Sequence, residues 1–97
     1  MKARFLPVAE LELLKEVAYY SKARNGLGIR FQAEVETTVA KVLANPSSGR
    51  PSFKGTRSRR VTDFPFDIVY RTSEVELLVV AVVPHRKQPE YWPGRTA

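Results

Sequence analysis

Two stretches of this 97-residue chain carry the side chains that could take part in chemistry or recognition. The segment 50–60 contains five basic residues and no acid: Arg50, Lys54, Arg57, Arg59 and Arg60. The segment 84–92 begins with Pro84 and continues with polar, charged and aromatic residues: His85, Arg86, Lys87, Glu90, Tyr91 and Trp92. Because five uncompensated cations repel one another unless an anion meets them, we expect the basic segment to bind a polyanion or an acidic protein surface; a solvated basic surface is the alternative.

Metal-free cleavage of RNA is the most demanding chemistry open to these residues. It needs a base for the 2′-OH proton, an acid for the leaving oxygen and cations for the phosphate. His85 could be the acid or base because histidine titrates near neutrality, and Tyr91 could donate a proton or stack. Cations are available at Lys54, Arg57, Arg59, Arg60, Arg71 and Arg86. A carboxylate near the basic segment is missing, since no acid occurs between Glu36 and Asp63, and this gap weakens the nuclease interpretation.

The same residues also have structural interpretations. His85 could hydrogen-bond a neighbouring backbone group at the end of a strand. Tyr91 and Trp92 could pin a C-terminal tail to a sheet instead of stacking on bases. Arg71 could pair with Glu76 across a hairpin, a contact worth less than about 1 kcal/mol if it is exposed.

Composition bounds the class of protein. The length and the 43% hydrophobic content predict one globular domain over residues 1–97. Cysteine is absent and there is one histidine, so we expect neither disulfides, nor a metal site, nor a cofactor. No apolar run could span a membrane or act as a signal peptide, which predicts a cytoplasmic protein without a membrane partner. The formal net charge of +6 agrees with an anionic partner.

The elements that position these residues start from the apolar run 75–83. It is rich in β-branched residues and shows no polar alternation after Glu76, so we predict a central strand covered on both faces. Pro84 ends this strand because it has no N–H to donate. The alternating segment 66–71 and the segment 57–62 predict two further strands, with a hairpin turn at 72–74 and a loop at 47–51.

The N-terminal half predicts a short strand at 2–6 and two helices at 8–24 and 27–44, joined at Asn25-Gly26. The first helix carries a line of Leu11, Leu14, Ala18 and Ser21, widened by Leu13, Val17 and Tyr20. The second carries a line of Phe31, Val35, Thr38 and Val42. Both apolar faces are expected in the core. The predicted fold is α+β, in the order β-α-α-β-β-β, with an antiparallel sheet and the helical hairpin packed on one face.

This order and five short segments resemble the RelE/ParE superfamily of bacterial toxins, known from type II toxin–antitoxin and plasmid stabilisation systems. The segments are Ala-Tyr-Tyr at 18–20, Leu-Gly-Ile-Arg-Phe at 27–31, Asn-Pro-Ser-Ser-Gly-Arg-Pro at 45–51, Phe-Pro-Phe-Asp-Ile-Val-Tyr-Arg at 64–71 and Val-Val-Pro-His-Arg-Lys-Gln-Pro-Glu-Tyr-Trp at 82–92. The long helical hairpin and the terminal strand leading into His-Arg-Lys look closer to the ParE-like branch.

The resemblance implies a toxin that inhibits DNA gyrase and is neutralised by a cognate antitoxin. The expected gyrase-binding residues are Lys54, Arg57, Arg59, Arg60, His85, Arg86, Lys87, Tyr91 and Trp92. The expected antitoxin-binding residues are Leu13, Val17, Tyr20, Phe31 and Val35. The alternative is a RelE-like endoribonuclease that cuts mRNA on the ribosome, with His85, Tyr91, Arg59, Arg71 and Arg86 as catalytic residues. A basic nucleic-acid-binding module is a weaker alternative.

Overall fold

The computed structural model describes residues 1–86, 92 and 95. The chain forms strand β1 (Lys2–Phe5), helices α1 (Pro7–Ala23) and α2 (Leu27–Ala44), and then strands β2 (Arg50–Pro51), β3 (Arg57–Arg60), β4 (Phe66–Thr72) and β5 (Glu76–Pro84). Single 3₁₀ turns lie at Pro46–Ser48 and Phe53–Gly55. The predicted order is therefore confirmed, with β2 added inside a segment predicted to be loop. Neither α1 nor α2 is long and apolar enough to cross a membrane.

The five strands form one sheet in the order β1-β5-β4-β3-β2. β5, β4, β3 and β2 are antiparallel neighbours, whereas β1 runs parallel to β5. The α+β class and the helical hairpin on one face are confirmed, but the expectation of a wholly antiparallel sheet is wrong at the β1 edge. Parallel neighbours need a long crossover, and the chain from α1 to β4 provides it.

Strand β5 lies between β1 and β4, and Leu78 and Val80 on it are buried, which confirms the prediction of an interior strand covered on both faces. One residue of β5 is unmatched in the ladder with β4: Val69 pairs with Ala81 and Tyr70 with Val79, so Val80 forms a bulge. The bulge changes which backbone groups of β5 point towards the β1 side beyond this residue.

Helix α1 buries a different stripe from the one that the sequence favoured. Ala9 and Leu13 are buried, and Val17 and Tyr20 pack against the core. The line that begins at Leu11 and Leu14 is instead 66% and 49% exposed at these two residues. The line through Leu11 and Leu14 and the line through Ala9 and Leu13 lie on different sides of the helix, so only one of them can face the sheet. The prediction that Leu11 and Leu14 lie in the core is therefore wrong.

Helix α2 packs its predicted line into the core. Phe31, Val35 and Val42 are fully buried, and Thr38 is nearly so. The Phe31 ring lies 4.9–5.2 Å from three other rings, measured between centroids: Tyr20, Phe64 and Phe66. Gly28 allows the close approach of the helices, because a Cβ there would collide with Ser21 and with the carbonyl of Val17 on α1.

Candidate functional site

A cleft of about 1240 Å³ lies on the sheet face opposite the helices. Phe66 and Ile68 point from β4 towards the helices, so the alternate residues Asp67 and Val69 point into the cleft. We call this site the basic cleft. Its other lining residues come from the 48–52 segment, from β3 and the turn after it, from the end of β5 and from the tail: Ser48, Arg50, Pro51, Ser52, Ser58, Arg59, Arg60, Thr62, Asp63, Val83, Pro84, His85 and Trp92.

The sequence places no acid within the basic segment, but the sheet brings one to it. Asp67 on β4 pairs in register with Arg60 on β3 and Val83 on β5. Its Oδ1 lies 2.9 Å from His85 Nε2, and its Oδ2 accepts a hydrogen bond from Arg50 Nη2 at 3.5 Å. The alternation of Phe66, Asp67 and Ile68 was the available signal, since it sets Asp67 on the face away from the core.

His85 has both a structural and a site contact. Its backbone N–H donates to the Pro65 carbonyl at 2.9 Å, which is the predicted strand-end interaction. Its side chain, 34% exposed, pairs with Asp67 at the mouth of the cleft. The Asp67–His85 pair is therefore a carboxylate-oriented imidazole, an arrangement that can accept or donate a proton.

The arginines of the basic segment point in several directions. Arg59 Nη1 donates to Ser48 Oγ at 2.8 Å, so its hydrogen-bond partner is a neutral hydroxyl and not a carboxylate. Arg60 is exposed and makes no side-chain hydrogen bond or ion pair with residues 1–86, 92 and 95. Arg57 Nη1 donates to the Gly49 carbonyl at 2.8 Å, so this residue holds the 46–49 loop and does not line the cleft.

The residues predicted to bind gyrase divide into those that line the basic cleft, those that lie outside it and those outside the described residues. Arg59, Arg60, His85 and Trp92 line the basic cleft, and the structure adds Arg50 and Asp67 to them. Lys54 lies at the β2–β3 tip with a left-handed backbone φ of 51°, outside the lining, as do Arg57 and Arg86. Lys87, Glu90 and Tyr91 lie outside the described residues.

Arg71 does not line the basic cleft, and Glu76, its expected partner, forms an ion pair with Arg4 instead. Arg71 Nη2 donates to the Arg95 carbonyl at 2.9 Å. Glu76 pairs instead with Arg4, at 3.0 and 3.1 Å, because the parallel register of β1 places Arg4 on the neighbouring strand. Arg4 lowers the pKa of the Glu76 carboxyl through this hydrogen bond, and Glu76 raises that of Arg4.

Trp92 is only 4% exposed and belongs to the core. It lines the cleft together with Val69 and Val83, so it covers part of the second face of the sheet. This burial matches the interpretation that it pins the tail and leaves little ring surface for stacking on a base.

The predicted antitoxin-binding residues are largely inaccessible. Phe31 and Val35 are fully buried, Leu13 is 7% exposed, and Val17 and Tyr20 are half-buried against the core. The hydrophobic residues that these helices expose are others: Val8, Leu11, Leu14, Tyr19 and Ile29. Phe31, Val35 and Leu13 therefore have no surface to offer a partner, because they fill the space between the helices and the sheet.

Comparisons with known proteins give a family model, a relative and a solved structure to which the chain is similar. A family model described as the ParE toxin of the type II toxin–antitoxin system parDE matches residues 3–89. A protein of Sinorhizobium fredii named as a toxin, Y4kP, is 36% identical over 83 residues, which span 82% of this chain and 85% of that protein. A solved chain described as the chromosomal ParDE TA system from P. aeruginosa has the same fold, with a TM-score of 0.74 at 20% identity, and covers 87% of this chain and 95% of its own.

Proposed function

Because the chain belongs to the ParE toxin family of type II toxin–antitoxin systems, we propose that it inhibits DNA gyrase and that a cognate antitoxin neutralises it. The observation that carries the proposal is the content of the basic cleft. Three arginines, Arg50, Arg59 and Arg60, line it beside the Asp67–His85 pair. Such a surface suits binding to a large anionic target.

The support lies in how the Arg59 side chain is held at the edge of the cleft. Tyr70 on β4 fixes the 46–49 loop: its hydroxyl donates to the Pro46 carbonyl at 2.7 Å and accepts from the Gly49 N–H at 3.0 Å. Ser48 in that loop then accepts from Arg59. A cationic surface that is ordered before binding loses less conformational entropy when a partner arrives.

A second candidate function, ribosome-dependent cleavage of mRNA, is favoured by the Asp67–His85 pair. An imidazole oriented by a carboxylate could take the 2′-OH proton, and Arg59 or Arg60 could stabilise the charge on the phosphate. The leaving oxygen needs a second proton-transfer group, and the other carboxylate among the described lining residues, Asp63, is held in an ion pair with Arg30 at 2.7 Å. We therefore place this function second.

Two parallel reactions test the proposal. Purified toxin is incubated with gyrase, ATP and relaxed plasmid in one, and with mRNA on programmed ribosomes in the other. We expect loss of gyrase supercoiling and intact mRNA. Codon-phased cuts in the mRNA, with supercoiling unaffected, would overturn the gyrase proposal and favour the second function.

For the antitoxin, we propose docking on the exposed stripe of α1 made by Val8, Leu11 and Leu14. These side chains are 40%, 66% and 49% exposed and follow one another at intervals of three residues. Residues at this spacing lie along one side of a helix, where a partner helix could cover them. The toxin–antitoxin system named in the family description supports such a partner.

A further inference from the structure

We propose that the basic cleft binds the phosphodiester backbone of duplex DNA, so that the toxin engages gyrase through the DNA segment that the enzyme holds. This inference rests on the proposed function, since it names the ligand of the same cleft. It differs from contact with gyrase protein alone, and the chemistry of the cleft walls decides between the two.

The walls combine guanidinium and hydroxyl groups. Besides the three arginines, the lining contains four hydroxyl side chains, Ser48, Ser52, Ser58 and Thr62. Arginine, serine and threonine are among the residue types that contact phosphate oxygens in protein–DNA complexes, where such contacts fix position without reading sequence. The cleft therefore has the composition of a backbone-binding surface.

The acids of the cleft do not cancel this charge. Asp63 pairs with Arg30 of α2, with Arg30 Nη2 at 2.7 Å from its Oδ2. Asp67 lies against His85, and its contact with Arg50 is long, at 3.5 Å, while the Arg50 side chain is 77% exposed. Arg59 and Arg60 have no carboxylate partner among the described residues. The cations that face solvent in the cleft are therefore in excess.

A site that binds a protein usually presents different groups from those in the basic cleft. The side chains that dominate protein–protein binding are most often Trp, Tyr and Arg, and they sit in well-packed, desolvated pockets at the centre of the interface. The apolar side chains on the cleft floor are closed to a partner, because Trp92, Val83 and Val69 are 4%, 6% and 1% exposed. Apart from the exposed Pro51, the accessible lining consists mainly of cationic and hydroxyl side chains.

The proposal predicts a measurable salt dependence. Each phosphate that a protein neutralises on duplex DNA contributes about −0.9 to the slope of log K against log salt concentration. Contacts by Arg50, Arg59 and Arg60 therefore predict a slope of about −2.7, and removal of two of them predicts about −0.9. The test measures anisotropy of a labelled duplex of about 30 base pairs, without gyrase, at salt concentrations from about 50 to about 200 mM.

The variants are Arg50→Ala/Arg60→Ala and, as a control of equal charge, Lys15→Ala/Lys22→Ala on the exposed side of α1. Circular dichroism confirms that both fold. We expect the cleft variant to lose at least about tenfold in affinity together with the slope change, and the control to lose much less. Equal losses in the two variants would overturn the proposal, since binding would then follow net charge alone.

Two further outcomes would also overturn it. One is no duplex binding by the wild-type protein; if gyrase is still inhibited in the parallel assay, the proposed function stands and only the DNA ligand fails. The other is tighter binding to single-stranded RNA than to the duplex, through the same arginines. Conversely, cleft-dependent duplex binding without any effect on gyrase would support the DNA site and refute the proposed function.

Discussion

Arg95 and Glu12 form a bidentate ion pair that closes the open edge of β5. Arg95 Nη1 and Nη2 lie 3.0 Å from the two carboxylate oxygens of Glu12, and the side chains are 17% and 22% exposed. Glu12 Oε1 also accepts from the Val82 N–H at 3.0 Å, and Arg95 Nη1 donates to the Val80 carbonyl at 2.8 Å. Since β1 reaches only to Val79 in the ladder, these side chains replace the missing strand.

Loss of this pair should lower stability. Glu12→Ala leaves the Val82 N–H and the Arg95 guanidinium without the carboxylate, and an unmade hydrogen bond of a buried group costs about 1–3 kcal/mol. We expect a fall of that size in the free energy of unfolding, measured by urea denaturation. Glu10→Ala, an exposed position on the same helix, is the control.

A double-mutant cycle separates the pair from the edge contacts. If Arg95→Ala lowers the free energy of unfolding as much in the Glu12→Ala background as in the wild type, the two residues are not coupled. That result would contradict the role of the pair in closing the edge of β5.

The hydroxyl of Tyr70 gives a second stability prediction. Tyr70→Phe removes the bonds to Pro46 and Gly49 and leaves both backbone groups unsatisfied, so we expect a loss of about 1–3 kcal/mol. Tyr19→Phe, at a ring that is 64% exposed, should change little in the same thermal or urea titration. Similar effects of the two substitutions would show that the Tyr70 hydroxyl does not fix the loop.

The contacts of Glu12 with Arg95 and of the Tyr70 hydroxyl with the 46–49 loop show which features the sequence could predict and which it could not. Periodicity correctly predicted both helices and the interior position of β5, because these features depend on local patterns of apolar residues. It could not choose between the two lines on α1, since both are apolar and the choice depends on what packs beside the helix. Nor could it pair Glu12 with Arg95, which are separated by 83 residues and meet only through the sheet edge.

The cleft shows the same division. The basic segment and His85 were predicted to act together, and the structure places Arg59, Arg60 and His85 around one cleft. Asp67 was missed because its place depends on the register of β3 with β4. Arg57 and Arg71 lie outside the cleft lining, since each donates to a backbone carbonyl elsewhere. Strand register is a tertiary property, and a count of charges along the chain does not contain it.

Acid should weaken the β1–β5 edge through Glu76. Arg4 holds the pKa of Glu76 below its usual value of 4.5 in the folded protein, so the unfolded state binds the proton more readily. The contribution to stability is therefore complete above pH 4.5 and is lost as the pH falls through the lower, folded value. Both groups are exposed, so the effect should be small.

The measurement compares wild type with Glu76→Gln by urea denaturation at several pH values. The wild type should lose more stability than the variant below the usual glutamate range, and the difference should shrink in high salt. Parallel pH profiles for the two proteins would contradict the role of the Arg4–Glu76 pair.

The exposed stripe of α1 should control antitoxin binding. Leu11→Glu/Leu14→Glu introduces charges at exposed positions, so the fold should persist while an apolar interface is disrupted. Co-expressed with its antitoxin, this variant should elute separately on size-exclusion chromatography. The control, Thr37→Glu/Ala40→Glu on the exposed side of α2, should co-elute like the wild type. Normal co-elution of the α1 variant would place the antitoxin elsewhere.

The gyrase supercoiling assay, run with two sets of variants, tests the central claim most directly. Replacing Arg50, Arg59 and Arg60 by alanine should raise the toxin concentration for half-inhibition at least about tenfold, equivalent to about 1.4 kcal/mol of binding. His85→Ala should leave most of the inhibition, because binding does not need a proton-transfer group. In a nuclease, loss of a general acid or base would cost about 10²–10⁴-fold in rate. Full inhibition by the triple variant, or no inhibition of supercoiling by the wild type, would contradict the account.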